Sequence, residues 1–232
     1  MYSGLHLWDI WLWAILPYVV ITIFIGGHIY RYLRDGFSWT TKSSEILEKK
    51  SLRWGNMLFH YGLLFVLLGH FIGLIIPKSW HEALGLNEHT YHLIALLGGI
   101  PAGLITLIGL LILIGRRGYV KRVFVNTTFG DWVVLFVLLG VVGFGLLATL
   151  CNIPGHFDYR ESIAPWLRGI LTFRPDPYLM LNVPFVFKLH IVFVMLLLAI
   201  WPFTRLVHVL SFPIVFIWRS PIVMRQRCGD VK

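Results

Sequence analysis

Residues 56–73, NMLFHYGLLFVLLGHFIG, decide the fold. The stretch carries no Asp, Glu, Lys or Arg, and its apolar character continues from Met57 to Pro77. That length suits a membrane crossing, because a hydrocarbon core roughly 30 Å thick needs about 20 mostly apolar residues in helical form. Yet the stretch contains two histidines, His60 and His70. An ionisable group inside a spanning helix is costly and marks a functional position by default.

Four more stretches read the same way: Trp11 to Tyr30, Tyr91 to Ile114, Trp132 to Leu150 and Pro184 to Val209. Each is bounded by polar, charged or Pro-containing sequence. The composition agrees, since 57% of the 232 residues are hydrophobic and 13% charged, where a soluble domain carries about 25% charged residues. A soluble globular domain and a disordered or fibrous chain are thereby excluded. The predicted fold is an all-α integral membrane protein, residues 1–232 forming one membrane domain of five transmembrane helices.

The cations set the orientation, because Lys and Arg concentrate in cytoplasmic loops. Arg31, Arg34, Lys42, Lys49, Lys50 and Arg53 follow the first span, Arg116, Arg117, Lys121 and Arg122 follow the third, and Arg205, Arg219, Arg225, Arg227 and Lys232 lie in the tail. The other two loops hold only Lys78, Arg160, Arg168 and Arg174. The N-terminus is therefore predicted outside and the C-terminus cytoplasmic. The net charge of +9 follows from this bias, and no nucleic-acid partner is called for. Met1 to Ile10 has no Lys or Arg, so the first span reads as a retained helix rather than a secretory signal. Cys151 and Cys228 fall on opposite sides of the bilayer and cannot bridge.

Of the ten histidines, His6, His81, His89 and His156 fall in the N-terminal segment or loops, and His28 and His92 at span ends, where an amphipathic ring at the interface is the ordinary reading. His60 and His70 in the second span and His190 and His208 in the fifth are different. These spans run antiparallel, so depth pairs His60 with His208 on the cytoplasmic side and His70 with His190 on the outer side. Two neutral imidazoles facing each other across a dry bundle supply the axial ligands of a six-coordinate haem without adding charge. Two such pairs predict two haems b, held non-covalently, since the sequence has no CxxCH.

On straight helices the spacings disagree. Separations of 18 and 10 residues correspond to about 27 Å and about 15 Å, a mismatch that tilt and a bend at Pro202 would have to absorb. Gly62, Gly69 and Gly73 leave room for a flat macrocycle or, like Gly99 and Gly103, simply let helices pack closely. Lys188 and Arg205, within a turn of His190 and His208, are placed to pair with haem propionates or to snorkel to the interface. A zinc site would need all four histidines at one depth, and no carboxylate lies in a span interior to suggest an ion pathway.

NMLFHYG, GHFIG, FKLH and PFTRLVHVLSFP, in this order along nearly the whole chain, resemble the gamma subunit of membrane-bound respiratory nitrate reductase. That resemblance implies the same pairing: His60 and His208 on an inner haem, His70 and His190 on an outer one. It further implies oxidation of membrane quinol near the outer haem, and electron transfer inward to an iron-sulfur beta subunit and a molybdenum-containing alpha subunit in the cytoplasmic membrane, where nitrate reduction belongs to the alpha subunit. Family members carry a lysine near the quinol pocket where this chain has Thr90. His89, His92 and Gly69 are then the candidates at that pocket. The basic loop from Arg31 to Arg53 and the tail from Arg219 to Lys232 offer docking surface for the soluble subunits, or serve only the positive-inside bias and anionic lipid. Two other readings are a cytochrome b of a sulfite-reduction or heterodisulfide-type complex, and a haem-free transporter or structural anchor.

Overall fold

The computed structural model describes residues 6–35, 39 and 44–210. Cys228 and the cationic tail lie outside the described residues. Five helices are long and apolar enough to cross a membrane: α1 (Leu7–Arg34), α2 (Lys50–Ile75), α3 (Glu88–Tyr119), α4 (Phe129–Cys151) and α5 (Phe185–Phe203). There is no strand among the described residues. Large apolar side chains such as Leu64, Phe65 and Leu68 on α2 point outward and are more than half exposed. A water-soluble monomer does not present so much contiguous apolar surface.

Local signals set the helix ends. Asn87 caps α3 by accepting from the Thr90 backbone N–H, and Thr128 and Asp131 form a reciprocal capping box at the start of α4. Together they satisfy backbone donors that a helix leaves open. α2 runs into a π-helical turn at Phe71–Ile75, directly after His70, and Pro77 follows.

Packing runs in the order α2, α3, α4, α5, α1, so α2 and α5 are not consecutive neighbours and a cleft lies between them. Close approach of α2 to α3 depends on small residues: a Cβ on Gly62 would stand 2.8 Å from the Thr106 backbone nitrogen. Gly103 likewise sits against Leu146 of α4. One end of the bundle gathers the cations of α1, α2, α3 and the α5 exit, and we call it the basic end. The opposite end is closed by the short helix Ile163–Leu171, which lies between the predicted spans. Its buried Ile163, Trp166 and Ile170 join Trp13, Val20, Met180, Val183 and Met195 in a core cluster. The Trp166 indole donates to the Trp13 carbonyl at 2.8 Å.

The fifth span departs most from expectation. The α-helical part ends at Ile200, a 3-10 turn follows at Trp201–Phe203, and Thr204 is fully extended. A second 3-10 turn, Arg205–Leu210, carries His208. Pro202 has no N–H to continue the ladder, and the carbonyls of Pro202 and Thr204 instead accept from Arg31 of α1, both at 2.7 Å. The straight-helix separation of His190 and His208 does not arise, because the two lie on different elements on either side of this break.

Candidate functional site

Across the cleft, two rings of α2 meet two rings from the α5 side. His60 and His208 have ring centroids 6.4 Å apart at 60°, toward the basic end. His70 and His190 are 5.9 Å apart at 37°, toward the opposite end. A metal–imidazole bond is about 2 Å long, so two imidazoles on opposite faces of one metal place their ring centres about 6 Å apart. Both pairs stand at that separation.

The ring nitrogens are committed in a way that suits ligation. Nδ1 lies 2.9 Å from the Asn56 carbonyl in His60, 2.8 Å from Val66 in His70, 2.9 Å from Val141 of α4 in His190, and 2.7 Å from Arg205 in His208. A carbonyl only accepts, so each Nδ1–H is the donor, and Nε2 is the nitrogen that would ligate. Metal-bound histidines almost always give their second ring N–H to such a partner, which fixes the ring and raises its basicity.

Exposure shows what kind of group fits between them. His60 and His70 are exposed although their rings face His208 and His190, and a Cβ on Gly69 would meet nothing within 4 Å. Polar rings left against hydrocarbon are costly, whereas a flat macrocycle at each pair would cover its ring, and the open space at Gly69 would leave room beside His70. A zinc ion would need ligands gathered at one point, but ten residues of α2, about 15 Å, separate the two pairs. Donor set, tautomers and cleft fit one bis-imidazole haem at each pair.

Each pair is held by a different device. At the opposite end, a Cβ on Gly145 would lie 2.9 Å from His190 Cε1, so glycine there lets the ring rest on α4 and reach Val141. At the basic end, Arg205 Nε donates to Asp131 Oδ1 at 2.6 Å, and Asp131, its side chain 5% exposed, also faces Arg117 at 3.6 Å. Neither Gly145 nor Asp131 stands out in the sequence, because a glycine in an apolar helix and an acid at a helix start are ordinary by pattern alone.

The other residues that the sequence points to do not reach into the two pairs with their side chains, although the Arg205 carbonyl accepts from His208. Lys188 donates to the Leu181 carbonyl at 2.9 Å, and Arg205 engages Asp131. Gly73 faces tyrosine hydroxyls rather than an open cleft. His89 is exposed on the first turn of α3, while His92 Nε2 lies 3.1 Å from the Ile153 carbonyl. His28 is buried, its Nδ1 on the Phe24 carbonyl. His81, expected as a loop histidine, is 4% exposed and packs on Tyr91. Burial, and then the charge of Arg160, depress its basicity. Cys151 is a free, exposed thiol.

Comparison with known proteins meets this geometry. A family model described as "Nitrate reductase gamma subunit" matches residues 9–227. The chain is 50% identical over 217 residues to the nitrate reductase gamma chain of Bacillus subtilis, covering 93% of this chain and 97% of that one. It is 35% identical over 225 residues to the respiratory nitrate reductase 2 gamma chain of Escherichia coli, covering 94% and 97%. A nitrate reductase-like protein NarX of Mycobacterium tuberculosis is 41% identical over 218 residues, which are 93% of this chain and 33% of that longer protein. A helical membrane bundle with paired histidines, matched over almost its whole length at this identity, belongs to the nitrate reductase gamma subunit family.

Proposed function

We propose that this chain is the dihaem, quinol-oxidising cytochrome b of a membrane-bound respiratory nitrate reductase, and that it anchors the soluble subunits. The observation carrying this reading is the facing of two imidazole pairs, ring centroids 6.4 and 5.9 Å apart, with all four Nδ1 atoms on backbone carbonyls. His60 and His208 hold the inner haem, and His70 and His190 the outer. When bound, the haems supply reversible one-electron transfer, relaying electrons from quinol toward an iron-sulfur beta and a molybdenum-containing alpha subunit.

The protein's own part is to present neutral ligands, keep water out of the bundle, and set quinol at the outer end near Gly69 and His70. With Thr90 in the first turn of α3 and His92 engaged with Ile153, the pocket's polar contacts fall to the His70 side of the cleft and to His89. Positive-inside bias places the basic end in the cytoplasm, in the cytoplasmic membrane, with the partner subunits against it. Each electron moved inward then works with or against about 2.3 kcal/mol per 100 mV of membrane potential.

Haem quantitation and reduced-minus-oxidised spectra on the purified complex, for wild type, His60→Ala and His70→Ala, test this. Two haems b per gamma chain are expected in wild type. Each variant should lose one, with quinol-to-nitrate activity lost in His70→Ala. Unchanged haem content in both variants would refute the assignment.

A further inference from the structure

Among the described residues, buried side-chain atoms without a hydrogen-bond partner occur in two places. One is His28 with Trp39. The other is His81, Arg160 and Ser162, at the end of the bundle that carries the His70–His190 pair. This second cluster adjoins α2. A Cβ on Gly73, three residues beyond His70, would lie 2.9 Å from the Tyr159 hydroxyl and 3.0 Å from that of Tyr91. These hydroxyls are 3.3 Å apart, so a hydroxyl pair occupies the turn next to a proposed haem ligand.

Beyond the pair lies a cavity of about 30 Å³, lined among others by Tyr91, Tyr159, Arg160, Asp158 and Glu88. A water needs roughly 10–15 Å³ of such volume and two to four polar partners, and these residues supply them. Arg160 itself is 4% exposed. It sits 3.9 Å over the Tyr91 ring and is paired in bidentate fashion with Asp158. Its second terminal nitrogen is left without a partner, which a cavity water would provide. At the surface, the Lys78 ammonium stands 3.2 Å from Asp158 and 3.9 Å from Glu88, and also pairs with Glu161. On the far side of Tyr91, 4.7 Å away between ring centres, is His81.

The chemistry needs such a route. A quinol oxidised to quinone gives up two electrons and two protons. The electrons leave through the haem side, and the protons must cross a region where an unsolvated charge is expensive. Burial first, and the Tyr91 contact second, push the Tyr159 hydroxyl well above its ordinary range, so it stays protonated. A hydroxyl of this kind conducts by taking a proton on one lone pair while releasing its own. The Asp158 carboxyl is pushed up by burial, but its Arg160 hydrogen bonds outweigh that and keep it low. It therefore remains an anion in the lining of the cavity.

We propose that the Tyr91–Tyr159 hydroxyl pair and the adjoining water-sized cavity, opening at Asp158 and Glu88, are the exit path for protons released by quinol oxidation. This rests on the quinol reading above.

The test uses the assembled complex with Tyr159→Phe and Tyr91→Phe, each of which keeps the ring and removes the hydroxyl. Both should retain two haems b per chain. Quinol-to-nitrate turnover per haem should fall about tenfold, at the modest end for a lost proton-transfer group, with a larger solvent deuterium isotope effect. Wild-type rate and isotope effect in both variants would overturn the path, and so would a rate loss that merely tracks loss of haem. His70→Ala separates the two readings. If it oxidises quinol at the wild-type rate, the quinol site itself is misplaced. A fully active Tyr159→Phe beside an inactive His70→Ala removes only the proton path.

Discussion

The two histidine pairs, proposed to do the same chemistry, stand in differently built surroundings. At the end away from the cations, His190 rides within the α-helical part of α5 and His70 on the last α-helical residue before the π-helical turn of α2, and His190 is tied across to a third helix through Val141. At the basic end, His60 rides on α2, but His208 sits on a 3-10 turn beyond the break at Pro202. That turn is held by side chains: Arg31 takes the freed carbonyls of Pro202 and Thr204, and Asp131 takes Arg205, whose own carbonyl accepts from His208. One site owes its geometry to helix packing and the other to charge-assisted hydrogen bonds. The first should therefore be sensitive to volume and the second to charge.

Gly145→Leu should show the largest effect. Because a Cβ there already lies 2.9 Å from His190 Cε1, a larger side chain must displace the ring, and overpacking of this kind costs about 1–3 kcal/mol. The expected result is loss of the outer haem with the inner one retained, read as halved haem b per chain. Loss of both haems, or of neither, would break the contrast.

Asp131→Asn should act at the other end and more mildly. It removes a nearly buried anion from Arg205 and Arg117. Taking one partner from a buried pair can cost about 3–5 kcal/mol, and the quarter-exposed Arg205 brings the expected loss to about 1–2 kcal/mol. A shifted potential or lowered occupancy of the inner haem alone, followed by redox titration, is the expected outcome. An unchanged inner haem would show that the turn holds without its charges.

Glu48→Gln should have the smallest effect. Glu48, bonded to Ser51 and to the buried Arg116, has its carboxyl lowered to about 2, chiefly by the Ser51 hydrogen bonds. A depressed carboxyl contributes stability that is fully present above the ordinary carboxylate range and is lost as pH falls toward 2. Wild type should thus outlast the variant in thermal retention of Soret absorbance near neutrality, and the gap should close between about pH 4.5 and pH 2. A gap independent of pH would exclude the ionised Glu48 carboxylate as its cause.

Legibility in the sequence differs by residue. His60, His70, His190 and His208 stand out because a titratable ring inside a long apolar run is too costly to persist without a partner to hold. Their pairing follows from antiparallel spans. The depth mismatch that a straight fifth helix implies comes from extending the helix through Pro202: periodicity cannot say whether a proline bends a helix or ends it. The helix Ile163–Leu171 is hidden in the sequence because it is too short to span and its apolar face has meaning only against Trp13 and Met195. His81 shows the same limit. Its position among loop residues gives no sign that tertiary packing buries it beside Arg160.

By itself, then, the order of residues determined the membrane class, the five crossings and the identity of the four proposed ligands, because hydrocarbon imposes length and polarity rules that act on each segment alone. Tertiary structure decided the rest: which carbonyl fixes each ring, which arginine holds the break, and which tyrosines share a hydrogen bond beside Gly73. Those are distances between segments far apart along the chain, and no local rule of sequence contains them.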